Sequence, residues 1–429
     1  PIHQMASNKA GPAGYKYMLH LETSPCRHKK SPVSCICSIN RQCLLSQEYL
    51  SFLASAITVI SLIHDFFLRC ANAIMINTDK IVVITACLRN NDSSLRDNTP
   101  DYVKCKELTM NNLISIVVPA YNVAAFIEDC LKSVQNQTYI HWEAIVIDDG
   151  SQDNTVAIIE KFVQADQRFR LIRQANGGVS QARNTGMSAA TGKFLTFLDG
   201  DDMWQPDFLR ELLVAVQTED HDMAYCGYTH LYTTGLKRKF SYPYASGHIL
   251  GDVLQGKTQI HIGAMLVKKE LLDQLALHFI EGCLVGQDQE FIWKLVSRAR
   301  VRSVPKELMI YRIRGGSAIT ANWRWQKHIH AFYGFERAAE YILSHPSPFY
   351  DPAYLAGLLQ ERIAYKLFKI IWRMLKNGYC AEVRQLINDE RYTAWLAHLN
   401  VGGLKAADKL KYYLLFSQHR LGWKFAKLL

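Results

Sequence analysis

Several signatures that would give this 429-residue sequence a quick reading are missing from it. It has no GxxxxGK[ST] segment, which excludes a P-loop, and no GxGxxG after its first well-formed strand, which disfavours a dinucleotide site. Cysteine is scarce where the pattern is regular. Seven of the 11 cysteines precede residue 110, and only Cys130, Cys226, Cys283 and Cys380 follow, far apart. Cys35-Ile36-Cys37 is not a CxxC pair and no matching His/Cys set follows it, which argues against zinc. The main body reads as a reduced, cytoplasmic-type protein. Long apolar runs are also lacking. Tyr49 to Ile63 is 15 residues, short of the roughly 20 that span a bilayer, and His64-Asp65 interrupts it. It lies too far along the chain for an ordinary signal peptide. A membrane anchor and an incidental apolar stretch both stay open there. No nucleic-acid module is recognisable, although the net charge of +10 suits anionic partners.

Residues 1–109 carry charges, serines and cysteines with little periodicity, and Met110-Asn111-Asn112 directly precedes the first clear strand. They read as an upstream extension, poorly ordered and apart from the chemistry. From Leu113 onward the pattern sharpens. Leu113 to Pro119 is a buried strand stopping at proline. Phe126, Ile127, Cys130, Leu131 and Val134 then recur at helical spacing. Strands follow at Trp142–Ile147, Phe169–Arg173 and Lys193–Leu198, with helices predicted over 155–164 and 179–190. Strand and helix alternate four times with short loops, the pattern of a doubly wound, mostly parallel α/β sheet.

The fourth strand ends in Asp199-Gly200-Asp201-Asp202. Three acids in four residues repel one another unless a cation sits among them. A solvated acidic turn is the plainer alternative. In open α/β sheets, ligands bind beyond the carboxyl ends of the strands. Two more polar loops end there, Pro119-Ala120-Tyr121-Asn122 and Asp148-Asp149-Gly150-Ser151. Together the three loops suit a nucleotide diphosphate. An aspartate can accept from a base N–H, and clustered carboxylates can hold Mg²⁺ or Mn²⁺ bridging two phosphates. Arg183 can serve as a forked donor to base or phosphate, or as a surface ion pair.

These residues carry a resemblance. Val117 to Asn122, Ile147 to Asp153, Asn176 to Asn184 and Phe197 to Asp202 resemble, in order and spacing, four motifs of the family-2 glycosyltransferases, which have the GT-A fold. The resemblance implies a UDP-sugar donor, with Pro119, Tyr121 and Asn122 lining its pocket. It implies that Asp148 or Asp149 binds the uracil and that Asp199, Asp201 and Asp202 form the ribose and metal end. Of these, Asp202 is expected as the metal ligand and Asp201 as the ribose-side partner and second ligand. Gly286-Gln287-Asp288-Gln289-Glu290 resembles the family's acidic segment, with Asp288, rather than Glu290, as general base and Gln287 in place of the usual Glu. Tyr311 to Thr320 resembles the segment closing over the diphosphate. Arg314 stands where many relatives have His, which implies a phosphate contact. The QxxRW motif of processive members is absent, and Ala321 to Trp325 lacks its glutamine.

The resemblance therefore implies an inverting transfer of one sugar to a glycan or lipid-linked acceptor, in lipopolysaccharide, capsule or other surface polysaccharide biosynthesis. The expected organisation is a catalytic domain over 110–325, with a nucleotide half at 113–213 and an acceptor half at 214–325, then a basic helical region at 326–429. Between 361 and 429 there are 13 Lys or Arg and five Asp or Glu. Basic amphipathic helices of this kind suit an anionic membrane surface, which would place the protein at the inner face of the cytoplasmic membrane. A helical cap with its apolar stripe turned inward is the competing reading. A nucleotidyltransferase would share the sheet and the acids, but should show a Gly-rich basic loop after the first strand. A nucleic-acid-binding protein is the other alternative that the net charge prompts.

Overall fold

The structure is a computed structural model. It describes strand backbone at 72–77, 80–85 and 106–109, and the chain over 112–417 apart from 241 and 315–323, with Trp423. The apolar stretch at 49–63 and the Met110 position lie outside the described residues. Strands β1 (Asn72–Asn77), β2 (Lys80–Thr85) and β3 (Lys106–Thr109) form a small antiparallel sheet.

The main sheet begins with β4 (Ile114–Ala120), followed by α1 (Ile127–Gln135), β5 (Trp142–Asp148), α2 (Thr155–Ala165) and β6 (Phe169–Arg173). Next come α3 (Val179–Ala189), β7 (Phe194–Phe197), the short β8 (Met203–Trp204) and α4 (Phe208–Gln217). The second half adds β9 (Met223–Tyr232), β10 (Lys237–Phe240), α5 (Leu250–Gln255), β11 (Met265–Lys268), α6 (Lys269–Gln274), α7 (Gln287–Val296) and β12 (Val301–Ile313). Helices α8 (Trp325–Ser344), α9 (Pro352–Lys376), α10 (Cys380–Asn388), α11 (Glu390–Leu396) and α12 (Ala406–Phe416) follow.

Nine strands join in the order β6-β5-β4-β7-β11-β9-β12-β8, with β10 paired to β9. The first four are parallel. β11 then runs antiparallel to both β7 and β9, while β12 is parallel to β9. The strand order reverses on either side of β4, so the loops after β4 and β7 flank a switch point, where such sheets bind ligands.

Every residue of β4 is buried, which requires cover on both faces. Val117 joins a core shared with Ile145, Leu195 and the C-terminal helices, whereas Ile116 and Val118 join a second core with α1 and α4. The period of two sends alternate residues to opposite faces. Helix α3 lies so close to β4 that a Cβ on Gly186 would stand 2.3 Å from a Val117 methyl.

In α9 the apolar stripe Leu355, Leu359, Ile363, Leu367, Phe368, Ile371 and Leu375 is buried in the first core. The inward-facing cap therefore describes α9, and this stripe is not free to lie in a bilayer. Among the described residues, no helix is long and apolar enough to cross a membrane.

Replacing Gly186 with alanine should overpack the α3–β4 contact and cost about 1–3 kcal/mol. A thermal melt of Gly186→Ala checks this, and an unchanged Tm would contradict the close approach.

Candidate active site

Three loops and one helix end build the site. The loop after β5 holds Asp148 and Asp149, both buried. Asp149 accepts from the Gln174 side chain at 2.8 Å and from the Gly177 and Gly178 backbone N–H groups at 2.9 and 2.8 Å. Its carboxylate is thereby committed to shaping the β6–α3 loop, which corrects its expected assignment to the base. Among the described residues, the Asp148 carboxylate accepts from Ser151 N at 3.2 Å and lies 3.8 Å from Arg173 Nε. It remains the better placed of the pair for a base N–H.

After β4, Tyr121 is exposed, and Asn122 adopts a left-handed φ of 50°. The Asn122 side chain accepts from Gln152 N at 2.8 Å, and its own N–H donates to the Ser151 hydroxyl. These bonds join the two loops into one wall. Pro119 is the buried end of β4, and its carbonyl accepts from Gly200 N at 3.1 Å.

The acidic loop after β7 divides its carboxylates. Asp199 is partly exposed and accepts from Arg183 Nη2 at 2.7 Å. Asp201 accepts from Arg314 Nε at 2.6 Å. Asp202 is 0% exposed, and its Oδ1 accepts from Arg312 N at 2.9 Å. Its Oδ2 is buried without a hydrogen-bond partner. Burial and the nearby Asp199 and Asp201 charges push Asp202 well above the usual carboxylate range. Asp202 thus anchors β12 through Oδ1 and keeps one unpartnered oxygen beside Asp199 and Asp201.

Arg183 is the centre of the arrangement. Its side chain is 1% exposed, and its second fork donates to Asp288 Oδ1 at 2.5 Å. The guanidinium carbon stands 5.2 Å over the Phe279 ring. Two carboxylates hold the guanidinium charged despite its burial, raising its pKa. Arg183 was expected to donate to base or phosphate. Both forks are taken, so it is a buried strut between the acidic loop and Asp288, 105 residues further along.

Asp288 opens α7, where a helix N-terminus favours an anion. Gly286, just before it, adopts φ of 92°, and a Cβ there would sit 2.7 Å from Ala331 Cβ, so the turn into α7 needs glycine. Glu290 is buried and bonds Lys294 at 2.8 Å and Arg337 at 2.6 Å. It fastens α7 to α8 and turns away from the cleft, which separates the two acids of this segment. Gln287 Oε1 is buried without a partner.

Sequence reasoning found nothing in 203–285. The structure brings His261 and His230 against Tyr311, with ring centroids 4.9 and 5.6 Å apart, and packs Tyr228 on both. Trp204 Nε1 donates to the Gly263 carbonyl at 2.7 Å and fixes the turn that carries His261. Burial, then the charges of Asp202, Asp199, Asp201 and Asp288, push the Tyr311 hydroxyl up. Burial pulls the His261 ring below the usual imidazole range. Isolated aromatics and histidines on unpatterned strands give no sequence signal; only Tyr311 lay in a quoted motif.

Among the described residues, no three His, Cys, Asp or Glu side chains form a ready metal cage. Mg²⁺ and Mn²⁺ need none when a substrate diphosphate supplies part of the shell. Asp199 and Asp201 are partly exposed, hard donors, and each is engaged by one guanidinium. That donor set fits a divalent cation.

Arg183→Lys keeps a charge but cannot fork between two carboxylates. It should lower kcat by about tenfold or more through misplacement of Asp288, with KM for the donor changed less. Steady-state kinetics beside a thermal melt check this. Asp149→Asn turns one acceptor into a donor facing an N–H and should destabilise the protein by about 1–3 kcal/mol, read as a fall in Tm.

The family model of Glycosyl transferase family 2 matches residues 115–275. The chain is 29% identical over 282 residues to the uncharacterized glycosyltransferase EpsJ of Bacillus subtilis, covering 63% of this chain and 78% of that protein. It is 29% identical over 238 residues to glycosyltransferase GlyG of Streptococcus pneumoniae, covering 51% and 78%. Its fold resembles that of S. aureus TarS 1–349, solved in complex with UDP-GlcNAc, with a TM-score of 0.52 at 17% identity over 73% of this chain and 90% of that one. Motif order, sheet topology and these likenesses agree: residues 115–275 match the glycosyl transferase family 2 model, and the chain has the GT-A fold.

Proposed function

We propose that this glycosyltransferase moves one sugar from a UDP-sugar to a hydroxyl of a glycan or lipid-linked acceptor, with inversion, in surface polysaccharide biosynthesis. The observation that carries the reading is the buried Arg183, which holds Asp288 and Asp199 on one guanidinium. That contact supports a base at Asp288, beside the acids proposed to face the diphosphate.

In this mechanism the uracil meets Asp148, and the ribose and diphosphate lie along the wall of Pro119, Tyr121 and Asn122. Asp201 and Asp202, with Asp199 beside them, would hold the divalent cation, Mg²⁺ or Mn²⁺, which would neutralise the leaving diphosphate. Arg314, within reach of Asp201, adds a positive charge on the phosphate side. Asp288 takes the proton of the acceptor hydroxyl as its oxygen bonds to the anomeric carbon. The bond from that carbon to the diphosphate oxygen breaks and UDP departs. Attack from the face opposite UDP inverts the configuration. The aromatic wall of Tyr228, His261 and Tyr311 suits an acceptor sugar, whose apolar ring face stacks on such side chains. The UDP-GlcNAc complex of TarS supports UDP as the nucleotide, at the level of shared fold. The basic C-terminal helices suit peripheral contact with an anionic membrane at its cytoplasmic face.

Titration with UDP and Mn²⁺ should reveal metal-dependent binding that Asp201→Ala abolishes. Release of UDP from a panel of UDP-sugars identifies the donor. Asp288→Asn should abolish turnover while UDP affinity stays within about threefold; retained turnover rules out Asp288 as the base.

A further inference from the structure

A cleft of about 1020 Å³ opens between the 253–260 segment and helix α9. A second lobe of about 810 Å³ lies between α8 and α9, and the two share Gln289, Lys366 and Lys369. Gln289 follows Asp288 directly in α7, so the cleft reaches the helix that carries the candidate base. The two lobes are lined by seven Lys or Arg and by two acids, Glu361 and Asp408, a net of five positive charges.

The acids do not balance the cations at the centre. Asp408 is already held by Lys369 at 3.2 Å, Lys411 at 2.9 Å and the Tyr365 hydroxyl at 2.9 Å. Among the described residues, neither Arg362 nor Lys366 makes an ion pair with an acid. Arg362 Nε is buried with no hydrogen-bond partner. Its guanidinium rests against Gly256, where a Cβ would come within 3.1 Å of Nη1. Burial and the neighbouring Arg362 together pull Lys366 down to about 8. Two adjacent, partly buried cations without a counterion cost free energy that a bound anion removes. The second lobe is more apolar, with Phe335, Ile370 and Trp372 in its wall.

We propose that this cleft is the subsite for a phosphate or diphosphate ester carried by the acceptor, with Arg362 and Lys366 as its anion-binding pair. A guanidinium beside an ammonium matches a doubly charged phosphate, whereas a single carboxylate leaves one cation unpaired. The donor diphosphate has its own end at Asp199, Asp201 and Arg314. The assignment rests on Asp288 as the base; Asp288 precedes Gln289 in α7 and does not itself line the cleft, so an acceptor has to run along α7 from one to the other. The acceptor would be gripped by its phosphate here while its hydroxyl lies at Asp288. A lipid tail next to the phosphate would lie along the Phe335, Ile370 and Trp372 strip of the second lobe, whose rim also carries Arg373, Lys376 and Lys411.

The test is calorimetric titration of the full chain with inorganic diphosphate in EDTA, so that the metal-dependent donor end does not take up the probe. The wild type should bind. Arg362→Gln and Lys366→Gln should each weaken binding at least about tenfold, and Arg362→Lys should fall between. Melting curves of every variant establish that the fold is kept. Absence of binding in the wild type, or equal affinity in well-folded variants, overturns the proposal. Farnesyl diphosphate in a parallel arm distinguishes sources: tighter binding than inorganic diphosphate indicates a lipid-linked phosphate, and equal binding a phosphate on a soluble glycan. UDP affinity of the same variants, measured separately with Mn²⁺, reports on the donor pocket, so failure there counts against the donor reading and leaves the cleft result standing.

Discussion

The buried guanidinium of Arg183 is the constraint on which the rest of the site depends. It sits on α3, under the parallel half of the sheet, and reaches Asp199 in one direction and Asp288 in the other. Taking a cation out of water is costly, and only good geometry to both acids repays it. The arrangement therefore specifies position more than it adds stability. It sets where the acidic loop ends and where α7 begins. Gly186 lets α3 approach β4, Gly286 admits the turn into α7, and Glu290 fastens α7 to α8. Each serves to keep those two acids on one strut.

The donor half was legible in the sequence because its constraints are local. Buried parallel strands read as continuous apolar runs, and the polar loops must follow their carboxyl ends. Four motifs in order also fixed the resemblance. The roles of individual residues were less legible. Asp202 looks like a metal ligand by spacing, yet one of its oxygens is taken by the backbone of residue 312. Asp149 looks like a partner for the base, yet it caps a loop about 28 residues away. Adjacent acids differ by which side of the chain they leave, and spacing does not encode that.

The acceptor half was nearly silent for a different reason. β9, β11 and β12 are drawn into register by pairing with strands far along the chain, and two of those three pairings are antiparallel. His230, His261 and Tyr311 meet only once that register is set. The basic tail was read in two ways, and the burial of the α9 stripe decides in favour of a packed cap for that helix. Its charged edge then faces a cleft of the same body, which gives the lysines a local counterpart as well as a surface one.

The bond from the Arg312 backbone to Asp202 spans 110 residues, and Arg314 reaches Asp201 across 113. Synthesis proceeds from the amino end, so β4 to β7 leave the ribosome well before these partners. Until β12 emerges, Asp201 and Asp202 stand at the end of β7 without these contacts, beside an Asp199 that Arg183 already engages. The nucleotide half is then a sheet with a repulsive, unfinished edge. The acidic loop is completed only when β12, the last strand of the main sheet, docks.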